Sequence, residues 1–303
     1  MSAAPYALTV IKPISVTDSM LVSSTVPEND HAAWSSTTTY ALGDRVIKTH
    51  KVYESLQAGN LNHDPAASVG WWIEVGPTNR WKVFDTSNST ATTQTAGMEY
   101  VLSPGQAINS VAVLNVAGAG EIVITMTDPT YGVVYSKSID MTGLPSASDW
   151  WNWLFGSRVS PTLSIATDIP SYPSAQLKIT ITGGSSLSVG VIMFGQKRQI
   201  GLGVQLGATV GIQDYSRKET NEFGDTVLVQ RAYSKRASFH MLLENPDVDS
   251  AVGFLSELRA IPCLWIGSEI YESTVIYGFF KDFQITISYP THSDCSLDIE
   301  GLT

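Results

Sequence analysis

The sequence predicts a mainly β protein: N-terminal strands, a small aromatic-rich β module, an antiparallel β-sandwich of jelly-roll character, and a C-terminal β-rich unit with one helix. Three observations lead there. Short runs of apolar alternation recur between Gly, Pro and Asp turn signals, which is the pattern of antiparallel strands. Charged residues make up only 15% of the chain against 43% hydrophobic ones, so Ser and Thr fill many polar positions. Hydroxyl-bearing faces suit strands. Helical spacing is clear in one stretch, Val248 to Arg259, where Val248, Val252, Leu255 and Leu258 recur.

The elements follow in order. At 303 residues the chain exceeds one typical domain. Residues 1–30 hold Leu8, Val10, Ile11, Ile14, Val16 and Leu21 among Thr and Ser, one or two strands expected to pair with a distant part of the chain. Pro27-Glu28-Asn29-Asp30 is a turn, and the aromatic module occupies 31–80. The sandwich is expected over 81–200, with strands around Val111–Val116, Ile122–Met126, Val133–Ile139, Leu177–Ile181 and Leu187–Phe194. Gly118-Ala119-Gly120 and Gly183-Gly184 read as turns between them. The unit 201–303 follows, with strands Thr226–Tyr233 and Lys235–Leu243 expected to pair, a helix near 247–260 that Pro262 ends, and Cys295–Leu302 as a final edge strand.

Composition narrows the partners. With 28 acidic residues against 18 basic ones the net charge is -10, and no basic block interleaves with aromatics, so nucleic acid is not an expected partner. The N-terminus lacks the basic-then-apolar order of a secretory signal, and no run of about 18 apolar residues occurs, so no membrane span is expected. The expected site of synthesis is the cytoplasm. Cys263 and Cys295 lie in separate strand-like runs without metal-ligand spacing, and buried free thiols are the expectation. No cofactor or metal site is expected.

The module carries the most specific pattern: Trp34, then Tyr40-Ala41-Leu42-Gly43-Asp44-Arg45-Val46, Tyr53, Asn60, Pro65 and Trp71-Trp72. It resembles the chitin-binding type of small carbohydrate-binding module found in chitinases and cellulases. It is more similar still to the copy of that module near the N-terminus of bacteriophage tail proteins, where the stretch closes on a run like Asn79-Arg80-Trp81-Lys82-Val83-Phe84-Asp85. The sandwich resembles galactose-binding-type sandwiches by pattern, and the closing Asp298-Ile299-Glu300-Gly301-Leu302 resembles the end of phage tail and baseplate proteins. The resemblance implies a structural virion protein of the tail tip or baseplate, made in the host cytoplasm. Its implied partners are other tail proteins, further copies of itself in a ring or trimer, and host-surface polysaccharide. In the module it implies a Gly43-Asp44 turn and a sugar-stacking platform drawn from Trp34, Tyr53, Trp71 and Trp72. The bland alternative is that these rings form the module's own core, since burial is the usual fate of large apolar rings. On a strand, one of Trp71 and Trp72 must point inward.

A second aromatic cluster, Trp150, Trp151, Trp153 and Phe155, reads as an interface anchor or a buried plug. Gly201-Leu202-Gly203 lacks the Lys-Ser/Thr of a phosphate loop and reads as a hinge between β units. The five histidines form no HExxH, no GxSxG elbow occurs, and the acidic pairs Asp247/Asp249 and Asp298/Glu300 sit at a helix start and on a strand. No catalytic residue is expected. The competing expectation is a stand-alone lectin or a glycan-degrading enzyme subunit.

Overall fold

A computed structural model describes residues 7–143, 150–155, 160–205, 207–220, 225–268 and 271–302, with the side chains of 152 and 153 outside that description. The fold is mainly β, with large antiparallel sheets and a helix near the C-terminus.

The first strand, Leu8–Pro13, sets the architecture. Leu8, Val10 and Ile11 are all fully buried, so this strand is covered on both faces. It pairs with 195–200 at the end of the long strand Gln176–Ile200 on one side and with Cys263–Ile266 on the other. The expected distant pairing is therefore double, and it fuses the sandwich and the C-terminal unit into one continuous sheet. Leu21–Ser24 goes elsewhere, onto Gly97–Leu102 of the sandwich. The segment 1–30 thus belongs to both large units.

Two predicted turns in the sandwich are absent. Ser110–Asp128 runs unbroken through Gly118-Ala119-Gly120, and Gln176–Ile200 runs unbroken through Gly183-Gly184. These two long strands pair along their length, and the ladder shifts register where the glycine clusters face each other. The physical reason is close backbone approach at a bend. A Cβ on Gly118, which has φ +74°, would collide with the Ser186 carbonyl, and one on Gly183 would sit 2.6 Å from the Gly118 carbonyl oxygen. A glycine pair reads like a turn in sequence, yet here it lets two strands bend together. On either side of the bend Ser110–Asp128 takes different second partners, Gly132–Asp140 and Leu163–Ala166. Met98, Tyr100, Ile122, Ile124, Ile179 and Phe194 fill the enclosed core.

In the C-terminal unit His292–Gly301 is no edge. It lies between Tyr233–Glu244 and Val275–Thr286, and buries Ser293, Cys295, Leu297 and Ile299 at alternate positions. The pairing of 226–233 with 235–243 is also corrected: Thr226–Val229 pairs back onto Arg217–Thr220, while Tyr233–Glu244 pairs with Thr209–Asp214. A short 3₁₀ turn, Asn245–Asp247, leads into the helix Val248–Glu257, which ends before the expected Arg259. Its buried face is Ala251 and Leu255, continued by Leu258, whereas Val252 is exposed. Nor is 201–204 a free hinge. Leu202 N–H donates to the Leu242 carbonyl at 2.8 Å, and Gly203–Val204 forms ladder pairs with Leu242 and Met241. Among the described residues no helix is long and apolar enough to cross a membrane.

Candidate functional site

The module folds as a four-stranded sheet of Ala32–Ala33, Arg45–Lys48, Lys51–Ser55 and Trp72–Pro77, beside the short pair Thr39–Tyr40 and Asn60–Leu61. Gly43, at φ +86° in open space, makes the turn that leads into Arg45–Lys48. Asp44 Oδ2 holds that turn by accepting the Ala41 N–H at 2.7 Å. Val46 and Tyr53 are ladder partners, so their side chains share a face, and Trp72 joins them there. With Tyr40 these residues are the buried core. Tyr40 and Trp72 meet edge to face at 5.2 Å, and the Trp72 indole N–H donates to the His63 carbonyl at 2.9 Å.

That geometry sorts the four aromatic positions singled out in the sequence. Trp72 is 2% exposed and Tyr53 7%, so neither offers a face to a ligand. Trp34 and Trp71 are half-buried and pack on the outside of the core. Of the adjacent tryptophans, Trp72 begins the strand and is buried, whereas Trp71 belongs to the turn before it, so the alternation expected for two strand residues does not apply and Trp71 stays half-buried.

Between the two outer rings lies a polar strip that the sequence did not single out. Lys48 Nζ stands 4.5 Å from the Trp34 ring centroid and 2.5 Å from Asp64 Oδ2. This hydrogen bond from Lys48, together with one from the Ala66 N–H, holds the Asp64 carboxyl below the usual carboxylate range. The next residue back, His63, stacks on Trp71 at 3.9 Å with planes 10° apart. Asn60, 1% exposed, fixes both partners: its Oδ1 lies 3.1 Å from His63 Nδ1, and its Nδ2 donates to the Trp71 carbonyl at 3.3 Å. Lys48 thus links Trp34 to Asp64, and His63, the residue before Asp64, stacks on Trp71. Half-buried aromatic rings beside hydrogen-bonding groups are the kind of surface that suits a sugar ring, apolar on one face and hydroxyl-rich at its rim. Lys48 and Asp64 are sixteen positions apart and lie on no shared motif, so only the folded sheet brings them together.

The module is anchored to the rest of the chain through the hairpin turn that follows Lys48. His50 stacks on Trp81 at 4.4 Å and sits 2.9 Å from Glu28 and 3.1 Å from Asp18 through its two ring nitrogens. Thr78 Oγ1 donates to the same Glu28 at 2.8 Å.

The second aromatic cluster is a six-residue helix, Trp150–Phe155. Trp150 is 68% exposed and Phe155 60%, which excludes a buried plug for these two rings. Trp151 packs against both neighbours, at 5.6 Å and 4.4 Å, while remaining open to solvent. The Trp153 side chain lies outside the described residues.

Both cysteines are buried and free. Burial pushes the Cys263 thiol up to about 12 and the Cys295 thiol to about 11, far from a reactive thiolate. A disulfide-exchange reagent at about pH 8 should therefore label neither thiol in the folded chain and both in denaturant. Fast labelling of the native protein would contradict this burial. Asp298 and Glu300 lie on the central strand His292–Gly301, where Glu300 stands 3.6 Å from Arg236.

No protein-family model matches this chain, and no match is found among curated proteins.

Proposed function

We propose that this chain is a non-catalytic structural virion protein of a tailed bacteriophage, part of the tail tip or baseplate, that holds host-surface glycan through its small aromatic module. The observation that carries this reading is the strip Trp34–Lys48–Asp64–His63–Trp71: two partly open indoles around an ion pair, built on a core that uses Trp72 and Tyr53. A glycan would stack on Trp34 and Trp71 and hydrogen-bond to Lys48 and Asp64. The rest of the chain, one sheet continuous from sandwich to C-terminal unit, would transmit load from that contact into the tail. Exposed apolar rings such as Trp150 and Phe155 favour an assembled subunit over a free lectin, because monomeric proteins rarely expose contiguous apolar patches. Synthesis would take place in the host cytoplasm, with incorporation into the virion.

Affinity electrophoresis and glycan arrays test the module. Trp71→Ala and Trp34→Ala are each expected to weaken binding of chitin-type oligosaccharides about tenfold while the protein keeps its melting temperature. Unchanged binding in the double variant would remove the glycan reading. Mass spectrometry of purified particles tests the virion reading, which predicts the chain among the tail proteins.

A further inference from the structure

A chain of hydrogen bonds behind the strip fixes the chemistry of one of its atoms. Ser55 Oγ donates to the Gln57 carbonyl at 2.9 Å, which leaves its lone pairs to accept Asn60 Nδ2, also at 2.9 Å. The second Asn60 Nδ2 hydrogen goes to the Trp71 carbonyl. Both backbone carbonyls can only accept, so the Asn60 amide stands in one orientation, with Oδ1 facing His63 Nδ1 at 3.1 Å. An amide oxygen cannot donate. His63 Nδ1 therefore carries the hydrogen, and in the neutral imidazole Nε2 is left as a lone-pair acceptor.

That acceptor is free to meet a ligand. His63 Nε2 has no partner among the described residues and opens to solvent. Its direction is set by the Nδ1 contact and by the flat stack on Trp71, at 3.9 Å with planes 10° apart. Its polar neighbours are already engaged: Lys48 with Asp64, and Asp64 with the Ala66 N–H as well. Charge narrows what the site meets. The four basic residues of 31–80, Arg45, Lys48, Lys51 and Arg80, each pair with a carboxylate, so an anionic ligand finds no free cation among them. An uncharged ligand rich in O–H and N–H donors suits a bare acceptor beside aromatic rings.

We propose that His63 Nε2 is the specificity-determining contact of the module: it accepts one hydroxyl or amide N–H of an uncharged sugar held beside Trp71, with Asn60 setting its tautomer. The proposal rests on the glycan reading above and names the group that gives it direction. An indole accepts any apolar sugar face, whereas a fixed lone pair separates sugars by where they carry a donor.

Two measurements on the full chain test it, and the first needs no ligand. Long-range proton–nitrogen correlation spectra at about pH 8, where an ordinary imidazole is neutral, should show the His63 hydrogen on Nδ1, the signal being assigned by its loss in His63→Phe. A hydrogen on Nε2 would overturn the proposal. Chitotriose should then shift the wild-type Nε2 resonance. In calorimetry His63→Phe, which keeps a ring against Trp71, should bind chitotriose about fivefold more weakly, the size of one net hydrogen bond, at an unchanged melting temperature. Chitotriose methylated at single hydroxyl or amide positions should lose about fivefold on wild type at one position and nothing there on His63→Phe. Should His63→Phe melt early, the response of the wild-type Nε2 resonance decides. If Trp34→Ala or Trp71→Ala weakens binding while neither His63→Phe nor the Nε2 resonance responds, His63 is no contact and the glycan reading stands. If wild type binds no chitotriose, the glycan reading fails and this contact fails with it.

Discussion

Trp72→Ala is expected to unfold the module while leaving the rest of the protein folded. The module's core consists of four buried side chains, Tyr40, Val46, Tyr53 and Trp72, and the last is 2% exposed. Removing a buried tryptophan costs about 3–5 kcal/mol, and a unit this small has little more than that to lose. The indole N–H to the His63 carbonyl goes with it, which frees the loop that positions His63 and Asp64. Hydrogen exchange should report lost protection across 32–77 and unchanged protection in Ser110–Asp128 and Gln176–Ile200. Sugar binding should vanish with it, in contrast to Trp71→Ala, which weakens binding about tenfold and keeps the fold. Retained protection in 32–77 would show that the module is held from outside, through the His50, Glu28 and Trp81 contacts.

Trp265→Ala should strike the other core. Trp265 is fully buried on Cys263–Ile266, faces Phe280 edge-on at 6.3 Å, and donates its indole N–H to the Gly278 carbonyl at 3.0 Å. The strand that carries it is also the one that receives the N-terminal strand, with Val10 opposite Trp265. The cavity and the lost donor should cost about 3–5 kcal/mol, a large part of the stability of an ordinary domain. Urea unfolding followed by circular dichroism should show the C-terminal unit melting early and taking Leu8–Pro13 with it. A loss below about 1 kcal/mol would mean that the site collapses around the missing ring, which packing at interior density does not allow.

How far the sequence could be read differs between fold and site. Alternation in 176–181 marks a strand directly, because a half-buried strand must alternate, whereas the strand Gly97–Leu102 went unread. The helix Val248–Glu257 follows from its periodicity, though its buried face is Ala251 and Leu255 while Val252 faces solvent. Small Ala251 is a weak signal beside Val252, so the stripe is easily drawn one position off. Glycine clusters were misleading for a physical reason: Gly118 and Gly183 serve close backbone contact across a bend, and composition cannot separate that from a turn. Two of the five residues of the candidate site were legible. Trp34 and Trp71 stand out as large rings in a motif, while Lys48, Asp64 and His63 carry no local signal and acquire meaning only as neighbours in space.

By itself, then, the sequence determined the β class, the compact aromatic module with its Gly43-Asp44 turn, and the position of the C-terminal helix. Each of these depends on interactions within a few residues: side-chain alternation, turn conformation and helical spacing. The tertiary structure alone decided that Leu8–Pro13 welds sandwich to C-terminal unit, that His292–Gly301 is central, and that Trp72 is core while Trp71 is surface. Those outcomes depend on which strands meet, across as many as 257 residues for Thr9 and Ile266, and that pairing is chosen by the summed burial of whole faces, which no local pattern contains.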